Sequence, residues 1–168
     1  FERANESLCK TKEILDQQRF PSPFYTSFYF VAQFMNDLCL LSRNLDINLD
    51  VQKRTIQSGK AALRVVKRYA PYRTKVYRLM GEYYWLIGKQ KKALNWWDRA
   101  MKKGEKLGAR PDLSRTYLET GKSLLEPTSK HKELNGIAAK EYLEKARTMF
   151  EEMDLQWDLN ELHKVMAP

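Results

Sequence analysis

The chain has 168 residues, 43% apolar and 30% charged, and its 30 Lys and Arg against 21 Asp and Glu leave a net charge of +9. That length supports one domain with a continuous core, and with 7 Gly and 6 Pro the composition excludes collagen, low-complexity disorder and a turn-rich all-β chain. No apolar run reaches the roughly 18 residues of a membrane span, and Cys9 and Cys39 with His131 and His163 are too few for a disulfide framework or a structural zinc site.

Apolar residues recur with helical period almost everywhere, and strand alternation is convincing nowhere. Residues 2–18 carry Leu8, Ile14 and Leu15 on one face and end before Pro21 and Pro23. Residues 24–42 form a run rich in Phe, Tyr and Leu that is interrupted by Asp37, which reads as a buried helix. A loop is expected over 44–50, then an amphipathic helix over 51–69 ended by Pro71. Helices follow over 73–87, stopped by Gly88, and over 90–107, stopped by Gly108. Residues 113–125 make the next, before Pro127 and a polar loop that runs to Asn135-Gly136. Residues 138–153 and a short terminal segment, 157–165, complete eight helices, so the expected fold class is all-α.

The excess charge is local. Residues 53–110 hold 17 Lys and Arg but only three acids, Glu82, Asp98 and Glu105, whereas both flanks are weakly acidic. A block of this kind attracts a polyanion or an acidic partner. The same region carries an internal repeat. Pro71, Tyr77, Gly81, Ala93 and Ala100 have counterparts at Pro111, Tyr117, Gly121, Ala139 and Ala146, with an insertion in 126–136. A large residue followed four positions later by a small one lets the two helices of a hairpin approach closely, and Ala on the second helix keeps the crossing tight. Hairpins repeated at this period bury their apolar faces by stacking on one another.

With these residues the chain resembles the tetratricopeptide-repeat superfamily: Tyr77, Met80, Gly81, Tyr84, Ala93, Trp97 and Ala100 in one unit, and Tyr117, Gly121, Leu124, Ala139, Leu143 and Ala146 in the next. Units near 40 residues depart from the roughly 34 usual there. The resemblance implies one TPR-like domain over 1–168, a right-handed superhelix of helical hairpins. It would comprise a partial leading helix (1–22), a degenerate hairpin (23–70), repeats at 71–110 and 111–153, and a capping helix over 154–168. The segments 107–111 (LGARP), 118–122 (LETGK) and 146–157 (ARTMFEEMDLQW) are similar to helical-repeat regions at the C-terminal end of multidomain signalling proteins. Those regions follow class III adenylyl/guanylyl cyclase domains, protein kinases or signal-transduction ATPases. The sequence begins at Phe1 with no initiator Met and no signal-peptide pattern, so it is expected to be part of a larger cytoplasmic protein.

Two surfaces are candidates for binding. Lys53, Lys60, Arg64 and Lys67 line one face of the 51–69 helix, opposite Ile56, Gly59, Leu63 and Val66, and Lys92, Arg99, Lys103 and Lys106 repeat the theme on 90–107. As second helices of adjacent hairpins these would merge their stripes into a convex basic patch. It would be a solvated face, a docking site for an acidic segment of the same or another protein, or a site for nucleic acid or anionic lipid. By the register of the resemblance, Lys75, Arg78, Glu82 and Trp85, then Arg115, Glu119, Lys122 and Leu125, face a concave groove. There Lys75, Arg78 and Arg115 would grip a carboxylate or acidic peptide. Glu82 and Lys122 stand where the family's peptide-terminus clamp has asparagine, which argues against that ligand. The four tryptophans read as core or inter-repeat packing, with Trp97 buried and Trp96 partly exposed. No nucleophile–base set, phosphate loop or metal set is present, so no enzyme activity, cofactor or metal is expected. The expected function is a protein-interaction or regulatory module that contacts a partner or other domains of its own polypeptide, with nucleic-acid binding the alternative.

Overall fold

The computed structural model describes residues 2–19, 22–43 and 49–166. Among these residues the protein is all-α, with eight α-helices: α1 (Glu2–Gln17), α2 (Pro23–Arg43), α3 (Leu49–Arg68), α4 (Arg73–Leu86), α5 (Gln90–Leu107), α6 (Arg110–Leu125), α7 (Ala139–Glu152) and α8 (Gln156–Met166). Of the loop expected over 44–50, residues 44–48 lie outside the described residues, and Leu49 and Asp50 already belong to α3. Helix α6 starts three residues earlier than expected. Pro111 occupies its first turn, where a missing N–H costs no intrahelical bond and the fixed φ suits the helix.

Helices pair as consecutive hairpins, α2 with α3, α4 with α5 and α6 with α7. Each second helix also packs on the next hairpin, and α4 touches both α2 and α6. Three apolar clusters result. Phe34, Val66, Val76 and Met80 join α2, α3 and α4; Trp97, Leu113, Leu124 and Tyr142 join α4 to α7; Leu143, Phe150 and Leu162 join α6, α7 and α8. Tyr84 packs against the first two clusters and Tyr117 against the last two, so each hairpin's apolar face is covered by its neighbour.

Glycines set the closest approaches. A Cβ on Gly81 would lie 2.2 Å from the Trp97 ring, and one on Gly121 would lie 2.7 Å from Leu143. Gly88 and Gly108 end α4 and α5 with φ of +72° and +62°. In each case the next residue's N–H returns to a carbonyl one turn back, Lys89 to Tyr84 at 2.8 Å and Ala109 to Gly104 at 2.9 Å. Asp154 (φ +52°) ends α7 in the same way, with Leu155 N–H on the Phe150 carbonyl at 2.9 Å.

Between α3 and α4 a 3-10 turn, Ala70–Tyr72, carries Pro71. The Arg73 guanidinium donates to the Val66 and Lys67 carbonyls at 2.9 and 2.8 Å, capping the C-terminal end of α3.

A small ribbon, which the absence of strand alternation did not foretell, spans the end of the expected polar loop and Ala138, the expected first residue of the next helix. Strands β1 (Glu133–Leu134) and β2 (Ile137–Ala138) pair antiparallel, Glu133 opposite Ala138 and Leu134 opposite Ile137. Asn135 and Gly136, at φ of +55° and +74°, form the two-residue turn, a conformation Asn-Gly favours. The insertion is fastened to α5. Asn135 donates to Asp98 at 2.8 Å, and Gln90 bridges the Thr128 carbonyl and the Lys130 N–H, both at 2.9 Å.

Candidate functional site

Two grooves gather the candidate residues. The first, of about 310 Å³, is formed by α2, α4, α6 and α8. Helix α4 contributes Lys75 and Arg78, and α6 contributes Arg115, Leu118, Glu119 and Lys122. Glu82 and Trp85 line an adjoining hollow of about 250 Å³ together with Glu119 and Lys122. Seven of the eight positions predicted to share one face line these two hollows, and Leu125 lines neither.

Their charges are partly committed within the protein. Arg78 is bonded to Glu82 one turn away and keeps a buried Nε without a partner. Arg115, expected to grip a ligand carboxylate, instead holds Asp158 of α8 in a bidentate bond, Nε and Nη2 each 2.8 Å from a carboxylate oxygen. Trp85 is buried, and its indole N–H donates to Glu126 at 2.8 Å. Leu125 is exposed. Lys122 is loosely paired with Glu119 at 3.7 Å, while Lys75 has no carboxylate partner among the described residues and its ammonium stands 6.0 Å from the Tyr72 ring centroid. Burial pushes the Glu82 carboxyl up to about 7; Glu119 adds to the rise, while Arg78 and Lys122 pull against it.

Sequence reasoning missed half of this groove's wall. Met35 of α2 and Trp157, Asp158, Glu161 and Val165 of α8 also line it. Trp157, read as packing, is 70% exposed on the rim, and Met35 is 43% exposed. Helix α8 packs on the α6–α7 cluster and buries Leu159 and Leu162 there. Its other face, which forms the groove wall, follows from the docking angle, which no spacing in the sequence records.

The second groove, of about 600 Å³, lies on the side of the second helices. Lys60, Leu63, Arg64 and Lys67 of α3 face Trp96 and Arg99 of α5, with Tyr77 of α4 between them. The Arg99 guanidinium sits 4.5 Å from the Trp96 ring centroid and 5.4 Å from that of Tyr77. The two basic stripes thus meet through four cations. Lys53 is elsewhere, 3.6 Å from Asp50, and Lys92 lies 5.7 Å from the Tyr84 ring centroid beside Lys89 and Lys130. Lys103 and Lys106 do not line the groove.

Among the described residues no group of three His, Cys, Asp or Glu gathers to hold a metal ion, and no helix is long and apolar enough to cross a membrane. Comparison with protein-family models, curated proteins and solved structures finds no match to the chain.

Proposed function

We infer that the protein is a non-catalytic, TPR-like interaction module that regulates a larger cytoplasmic signalling protein by docking a protein segment in the α2–α4–α6–α8 groove. The hairpins would wind as a right-handed superhelix with this groove on its concave side. One observation carries the reading: the groove sets two accessible ammonium groups, Lys75 and Lys122, beside two exposed apolar side chains, Met35 and Trp157. An apolar anchor with a nearby charge is the chemistry of peptide recognition. Arg78 and Arg115, already paired, shape the walls and do not compete for the ligand.

The test is selection of short peptides displayed against the chain, repeated with the Lys75→Glu/Lys122→Glu variant. Enrichment of peptides that combine an acid with a large apolar residue, lost in the variant, supports the reading. Peptides that bind both chains equally reject it.

A further inference from the structure

The α3–α5 groove gathers four cations above an apolar surface. Some cations elsewhere are paired, among them Arg54 with Asp37, Lys102 with Asp98, Arg110 with Glu152 and Lys145 with Glu141. Lys60, Arg64, Lys67 and Arg99 have no carboxylate within ion-pair distance among the described residues, and no acid lines their groove. Four like charges held together oppose one another and attract an anionic partner. Beneath them lies an apolar floor of Leu63, Tyr77 and Trp96, each only half-buried. Charge at the rim over apolar surface is the anatomy of a protein interface.

We propose that this groove docks an acidic amphipathic helix of a protein partner. Its carboxylates pair with the four cations, and one large apolar side chain rests on the floor. The spacing fits. Lys60, Arg64 and Lys67 recur at i, i+4 and i+7, two turns covering about 10 Å at 1.5 Å per residue. A partner helix presents carboxylates along one face at that same interval. The aromatic rings argue against nucleic acid. Arg99 covers Trp96 and Tyr77 from outside, the two rings meet edge to face at 5.4 Å, and Trp96 packs inward on the first apolar cluster. A base stacking on these rings would compete with Arg99 for them. The proposal uses none of the side chains of the α2–α4–α6–α8 groove and stands or falls apart from it.

The probe is a fluorescently labelled peptide of about 15 residues, long enough to take helical form on docking, with Glu at i, i+4 and i+7 and Leu between. Binding is read by anisotropy. The expected result is that Lys60→Glu/Arg64→Glu weakens binding by about tenfold or more, while Lys75→Glu/Lys122→Glu leaves it unchanged. Both sites of the first variant are exposed, and Lys60→Gln/Arg64→Gln, expected to weaken binding less, serves if charge reversal disturbs the helical circular-dichroism signal. Four outcomes overturn the proposal: no binding of the peptide, no effect of the substitutions, equal binding of a scrambled peptide of the same composition, or tighter binding of a single-stranded RNA oligomer.

Discussion

The indole of Trp97 fills the space that a side chain at Gly81 would need: a Cβ there would fall 2.2 Å from Nε1, the atom that donates to the Arg78 carbonyl at 3.2 Å. Gly81→Ala must therefore push a fully buried ring and break its hydrogen bond. Overpacking of this kind costs about 3 kcal/mol. Gly88→Ala, in open space at φ +72°, carries only the left-handed backbone penalty of about 1 kcal/mol. Urea unfolding of the two variants checks the ranking, and equal losses would refute the contact.

The bond between Arg115 and Asp158 fastens α8 to α6. Asp158 is 3% exposed, whereas a third of the Arg115 side chain reaches solvent. Arg115→Met strands a buried carboxylate and is expected to cost about 3 kcal/mol. Asp158→Asn leaves a cation that can rehydrate and costs less. Amide exchange across α8 measures both, and the prediction fails if Asp158→Asn loosens the helix more.

The raised pKa of Glu82 has a definite sign. A carboxyl held protonated to about 7 in the folded chain, against 4.5 ordinarily, makes the unfolded state the weaker proton binder between those values. Its contribution to stability therefore falls as pH rises from 4.5 to 7. Glu82→Gln removes that dependence, so the variant should gain stability relative to the parent chain across this window. Chemical denaturation at several pH values tests this; a difference that stays constant, or shrinks as pH rises, contradicts it.

Gln90 holds the inserted loop through both ends of its amide. Gln90→Ala is expected to cost about 1 kcal/mol and to abolish hydrogen-exchange protection of the Lys130 amide. Persistent protection would show that the β1–β2 ribbon holds the segment unaided.

Helical period placed the helices in the sequence because each hairpin buries one face against its neighbours, and the Tyr77-to-Gly81 spacing reports a contact local to one hairpin. The grooves were legible only where they run along such register, as with Lys75, Arg78, Glu119 and Lys122. Arg115 and Asp158 are 43 residues apart, and nothing in either segment marks them as partners. The ribbon escaped because two-residue strands are too short to alternate, although Asn135-Gly136 is itself a hairpin turn signal.

The placement of the tryptophans has a practical consequence. Trp97 is sealed in the core, Trp85 is fixed to Glu126, Trp96 lies under Arg99 in one groove, and Trp157 stands in water at the rim of the other. The four indoles thus occupy environments from dry to fully wetted, and each groove owns one native fluorophore. Emission wavelength and iodide quenching, followed in chains that retain Trp96 or Trp157 among the exposed pair, report which face a partner covers without any label on the protein.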